Sequence, residues 1–153
     1  MNDKASPTPE DYRAIEKLIV TYTHLVDAGD FAGLDALLAD ATFTGSGAPV
    51  SGPGAIEEMF HDTVIVYEDG TPRTKHVATN IIIDLDGDTG TATARSYVTV
   101  LQATPGFALQ TIAAGHYLDR FERRHGQWRF TERNVRIDLV GDVSHHLHRA
   151  AAA

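Results

Sequence analysis

The chain has 153 residues and 42% hydrophobic side chains, enough for one domain with its own core and no help from disulfides or metals. Cysteine is absent, which excludes a thiol nucleophile, a disulfide framework and thiolate zinc sites. Thirteen Lys and Arg against 21 Asp and Glu give a formal charge of -8, the opposite of the basic stripe that a nucleic-acid partner needs. No apolar run approaches the length of a membrane span, and Met1–Pro7 lacks the apolar stretch of a secretion signal. The expectation is a cytoplasmic protein without membrane or nucleic-acid partners.

Residues 1–8 read as a disordered lead, 9–142 as a single domain and 143–153 as a flexible tail. Thr8 has the chemistry of an N-cap, with Pro9 at the first helical position and Glu10 and Asp11 in the first turn. Tyr12, Ile15, Leu18, Ile19, Tyr22, Leu25 and Val26 follow at helical spacing, predicting an amphipathic helix of about five turns that stops at Ala28-Gly29. Asp30 caps a short second helix carrying Phe31, Leu34, Leu37 and Leu38. Residues 41–44 read as a short strand, and 55 to about 66 as a third helix with Ile56, Met59, Phe60 and Thr63 inward.

Beyond the turn at Glu68–Pro72 the pattern changes to strands, at roughly 75–85, 90–102, 109–123 and 127–139. Asp86-Gly87-Asp88, Thr104-Pro105-Gly106 and His125-Gly126 supply the turns. Helices followed by an antiparallel meander indicate an α+β fold. The expected shape is a cone: a curved antiparallel sheet closed on one side by three helices, with an apolar cavity between them.

His76 opens the first long strand and titrates near neutral pH, so it can move a proton if a partner comes to it. Alternation places it on a face with Ala78, Asn80 and Ile82. Asp27 is the second candidate. A carboxylate in the last turn of a helix opposes the helix dipole, yet Asp27 lies roughly 120° from the centre of the apolar stripe at about 100° per residue, at the edge of the buried face. Arg133 would offer a fixed cation to a leaving anion or enolate. Its parity differs from that of Trp128 and Phe130, so all three face inward only if a bulge intervenes. Tyr22, Phe43, Phe60, Tyr97 and Tyr117 are the aromatic residues expected at a pocket. His145, His146 and His148 read as part of a solvated tail, and no metal site is expected.

The run Gly115–Phe130, the helix end Val26-Asp27-Ala28-Gly29-Asp30-Phe31 and the strand start Lys75–Asn80 together resemble the nuclear-transport-factor-2-like superfamily, in its polyketide-cyclase-like, or SnoaL-like, branch. The resemblance covers about residues 9–140. Within it, the pattern is similar to that of lindane dehydrochlorinase and scytalone dehydratase. There an aspartate ending the first helix pairs with a histidine opening this strand, the positions of Asp27 and His76. Arg133-Asn134 matches the dehydrochlorinase's late-strand context, whereas Phe43 stands in place of its pocket tryptophan, and the scytalone enzyme's tyrosines find no clean match.

The resemblance implies a cofactor-independent lyase acting by β-elimination on a small hydrophobic molecule, with His76 as base oriented by Asp27. Three other roles known on this fold remain open: an isomerase or cyclase, a ligand carrier, and the non-catalytic small subunit of an aromatic-ring dioxygenase. A homodimer or homotrimer is expected from the resemblance and from an outer sheet face poor in charge.

Overall fold

The computed structural model describes residues 6–149. The parts of the expected lead and tail at 1–5 and 150–153 lie outside them. Helices α1 (Pro9–Ala28), α2 (Phe31–Leu37) and α3 (Ala55–Thr63) share the chain's first half with a short strand, β1 (Thr42–Thr44). Four long strands follow: β2 (Thr74–Asp86), β3 (Thr91–Thr104), β4 (Phe107–Arg124) and β5 (Gln127–Val140). They form one open sheet in the order β1-β5-β4-β3-β2. The long strands pair antiparallel, and β1 adds to β5 in parallel, a fifth strand beyond the meander of four. Among the described residues no helix is long and apolar enough to cross a membrane.

The first helix is fixed at both ends. Thr8 accepts from the backbone N–H of Asp11, whose carboxylate accepts in return from the Thr8 backbone, a complete capping box. Thr8 is thus ordered, a correction to a lead running through residue 8. Asp11 also accepts from Trp128 Nε1 at 3.0 Å and Arg123 Nη1 at 3.3 Å, tying the helix start to the β4–β5 hairpin. Ile15, Ile19, Tyr22 and Val26 are buried along the inner stripe, each contributing about 1.5–3 kcal/mol if fully transferred from water. At the other end Gly29 adopts φ 71°, and a Cβ there would stand 2.1 Å from the Gly70 carbonyl oxygen. Only glycine permits that approach. It presses the end of α1 against the turn that leads into β2, which brings Asp27 to the strand carrying His76.

Bulges decide which side chains face inward. Between Thr79↔Tyr97 and Ile82↔Arg95, Asn80 and Ile81 together oppose Ser96. Asn80 takes φ 53°, a left-handed conformation that asparagine tolerates better than most residues. The bulge reverses the alternation. His76 and Ala78 keep one face, but Ile81 and Ile83 continue it, while Asn80 is exposed and Ile82 turns outward at 47% exposure. The shared face expected for His76, Asn80 and Ile82 is corrected accordingly. In β5, the step from Phe121↔Phe130 to Arg120↔Glu132 leaves Thr131 as an extra residue. This is the bulge that lets Phe130 and Arg133, of opposite parity, both be fully buried.

The third helix ends at Thr63, three residues before the expected boundary. The backbone beyond it pairs elsewhere. Val64 bridges Leu147, Ile65 N–H donates to the His146 carbonyl at 2.8 Å, and His148 N–H donates to the Thr63 carbonyl at 3.0 Å. Tyr67 O–H donates to the His145 carbonyl, which also accepts from Gln102 Nε2 at 3.0 Å. The His145 ring stacks on Phe107 with centroids 4.0 Å apart. The expected flexible tail is therefore corrected over 143–149: this segment docks on the domain. Sequence periodicity does not report it because its bonds run through backbone groups distant in the chain.

Candidate active site

Asp27 and His76 meet. The Asp27 side chain reaches from the end of α1 to the start of β2, where its Oδ1 lies 2.6 Å from His76 Nδ1. Oδ2 accepts from the His76 backbone N–H at 2.8 Å, and Oδ1 accepts from Thr74 Oγ1 at 2.8 Å. Both side chains of the pair are only 11% exposed. Burial works against an ionised Asp27, but its bonds to His76 and Thr74 outweigh that and hold the carboxyl below the usual carboxylate range. An ionised partner on Nδ1 fixes the proton there, so the histidine's free nitrogen, Nε2, carries the lone pair. Helical periodicity alone placed Asp27 at the edge of the buried face. The Gly29–Gly70 approach turns that edge towards β2.

Arg133 points inward but does not serve as an open cation. Its Nε and Nη2 each donate at 2.8 Å to the two oxygens of Asp119, and both side chains are fully buried. The guanidinium carbon lies 3.9 Å from the ring centroid of Tyr117, 4.3 Å from Tyr22 and 4.9 Å from Phe130. Nη1 is covered and has no hydrogen-bond partner. Burial raises the Asp119 pKa against the pull of Arg133. Burial also opposes the Arg133 charge, but Asp119 overrides it and the net shift is upward. The two-pronged geometry is that of an ion pair. Arg133 was expected to receive a leaving anion; its charge is instead matched by Asp119 and lies buried against aromatic rings.

Four of the five expected pocket aromatics gather around this pair. Tyr22 lies 5.6 Å from Tyr117 and 6.4 Å from both Phe43 and Phe60, and Phe43 lies 5.7 Å from Phe60. Burial, with Arg133 opposing, pushes both phenols well above the usual tyrosine range, and the charge of Asp27 adds to the effect at each. Tyr97 is not part of the aromatic cluster. It sits on the outer face, paired with Thr79 and His116 and 58% exposed, because strand alternation sends it opposite to Val98 and Ser96.

Three residues at the site were missed. Thr74 shares His76's face two positions earlier, and alternation reveals it once Asp27 is placed. Asp119 alternates with the buried Tyr117 and Phe121, a pattern that puts a carboxylate inside and calls for a cation. His146 had no such signal. The docked segment brings its ring within 6.1 Å of the His76 ring, at 62° to it. Among the described residues no cluster of three or more His, Asp and Glu side chains is placed to hold a metal ion.

Comparisons with known proteins agree with the fold. A scytalone-dehydratase-like protein from Novosphingobium aromaticivorans superposes with a TM-score of 0.69 at 25% identity, covering 94% of this chain and 91% of that one. A protein of unknown function from Mycobacterium tuberculosis gives 0.71 at 25% identity, over 87% of this chain and 79% of that one. A hexachlorocyclohexane dehydrochlorinase from Novosphingobium barchaimii gives 0.68 at 21% identity, over 94% of each, a likeness of fold alone. No curated protein matches the sequence significantly. The profile of the SnoaL-like domain matches residues 7–134, nearly all of the helices and sheet that build the site. The chain therefore belongs to the SnoaL-like domain family of the nuclear-transport-factor-2-like superfamily.

Proposed function

We propose that the protein is a cofactor-independent lyase that removes a proton from carbon in a small, largely apolar molecule and expels a group from the neighbouring carbon. The observation that carries this reading is the nearly buried pair of Asp27 and His76, with the imidazole proton held on Nδ1. His76 Nε2 takes the proton, the C–H electron pair becomes the new double bond, and the leaving group departs with its own bonding pair. Asp27 stabilises the imidazolium so formed and keeps the ring oriented.

Neutralisation of Arg133 by Asp119 favours loss of water over loss of halide. A departing hydroxide can take the proton just moved to His76, whereas a halide leaves as an anion that asks for an open cation. The 25% identical scytalone-dehydratase-like neighbour supports the same direction.

A chromogenic probe of base strength at carbon tests the reading. Nitrobenzisoxazole loses one C–H proton, breaks its N–O bond and becomes a coloured cyano-nitrophenolate. The wild-type chain should turn it over above the buffer rate and His76→Ala should not. Equal rates for the two proteins would refute the assignment.

A further inference from the structure

We propose that His146 is a second substrate-contacting imidazole, donating a hydrogen bond from Nε2 to an oxygen of the molecule whose proton His76 removes. The inference rests on the elimination reading and adds to it an oxygen-bearing substrate and a residue from outside the matched domain, which ends at residue 134.

The geometry comes from the docked segment. The carbonyls on either side of the His145–His146 peptide are tied down, that of His145 by Tyr67 and Gln102 and that of His146 by Ile65. Leu147 bridges Val64. The main chain thus fixes the point from which the His146 ring projects, and the ring lies 6.1 Å from that of His76. The rings are nearly in contact, edge to face, so a small molecule lying across both ring edges can offer a C–H to one and an oxygen to the other.

The chemistry of the ring follows from its surroundings. Nδ1 is covered and has no hydrogen-bond partner. A covered nitrogen without an acceptor is better left as a bare lone pair than as an N–H, which puts the ring proton on Nε2. Burial, with the neighbouring His76 adding to it and Asp27 opposing it, brings the His146 pKa down to about 4. The ring is therefore neutral at working pH. A neutral imidazole is a hydrogen-bond donor, not a proton source, so no second proton transfer is assigned to it. It does not duplicate His76, which differs by having a carboxylate on Nδ1.

The test uses the full chain, nitrobenzisoxazole, and its product cyano-nitrophenol, whose phenolate oxygen is the acceptor. His146→Phe keeps the bulk and removes the donor; His146→Gln keeps a donor. Loss of one donor to a reacting oxygen is expected to lower kcat/KM about tenfold in His146→Phe, with His146→Gln recovering part of it. In the wild type, titration with cyano-nitrophenol should shift the ring NMR resonances of His146 together with those of His76. Equal kcat/KM in His146→Phe and wild type, or His146 resonances unmoved by the product, overturns the inference. The two readings fail separately. If product shifts His146 but wild type and His76→Ala turn over the probe equally, the contact stands and the elimination reading falls. If His76→Ala alone is inactive and His146→Phe is not impaired, only the role of His146 falls.

Discussion

The carboxylate of Asp27 holds His76 twice, by the ring Nδ1 at 2.6 Å and by the backbone N–H at 2.8 Å. A single acid therefore sets both the tautomer of the base and the position of the strand that presents it. Substitutions should separate these two roles. Asp27→Asn keeps the size of the side chain and removes its charge; turnover of nitrobenzisoxazole should fall about 100-fold or more. Asp27→Ala should fall as far and also lose about 1–3 kcal/mol of stability, because the donors of Thr74 and His76 are left without an acceptor. Initial rates and urea unfolding of the two variants check this, and equal stability of the two would argue against the backbone bond.

Arg133 and Asp119 should behave as a unit. Asp119→Leu leaves a buried guanidinium without its counter-charge and should destabilise the protein by about 3–5 kcal/mol. The double substitution Asp119→Leu with Arg133→Met should recover most of that loss. A double-mutant cycle by urea unfolding measures the coupling; additive losses would contradict the pairing seen here.

Acid should loosen the docked segment. The His146 pKa is about 4 in place and 6.5 in a free chain, so the undocked form binds more protons between those values. Docking is then fully favourable above about pH 6.5, weakens as pH falls, and has lost this contribution near pH 4. The full shift corresponds to about 3 kcal/mol, reduced by whatever water reaches the ring. The depressed Asp27 pKa acts in the same direction lower down, where stability present above the usual value of 3.8 is lost as the carboxylate protonates. Protection of the Ile65 and His148 amides, taken as exchange relative to the intrinsic rate at each pH, should fall between pH 6.5 and 4 in the wild type, and this dependence should shrink in His146→Gln.

The outer sheet face should associate with another copy of the chain. Register places Ile82, Arg95 and Leu118 in one row, Thr79, Tyr97 and His116 in the next, and Val77, Thr99, Ala114 and Leu139 in a third. Val77, Ile82, Tyr97, Leu118 and Leu139 are 40–70% exposed, an apolar surface larger than scattered single residues. Light scattering should report a dimer or trimer, with Leu118→Asp shifting it towards monomer; a monomer at all concentrations would refute this.

Sequence pattern conveyed the helices and the meander, the resemblance supplied the pairing of Asp27 with His76, and pattern failed where a backbone irregularity or a distant backbone bond decides. The stripe of α1 and its Thr8 cap are local, and both are in place. Which way Ile81 and Ile82 point depends on a bulge at Asn80, and alternation carries no mark of an extra residue. For Arg133 the parity conflict with Phe130 was itself the mark, and the bulge at Thr131 resolves it. What parity could not supply was Asp119 across the strand pair, which turns an expected anion receiver into a sealed ion pair. His146 was hidden for another reason: carbonyl acceptors at 145 and 146 have no side-chain signature at all.

The buried ion pair also governs how this interior can change by mutation. Replacing either Arg133 or Asp119 alone strands a charge, so single substitutions there pass through an unstable intermediate and the pair can be exchanged only together. The segment from 143 to 148 is held largely by main-chain bonds, with Val143, His145 and Leu147 as side-chain anchors, so replacement of a side chain such as His146 need not strand a charge. Change at this end of the interior is therefore open to single steps at His146, while the centre at Arg133 and Asp119 is not.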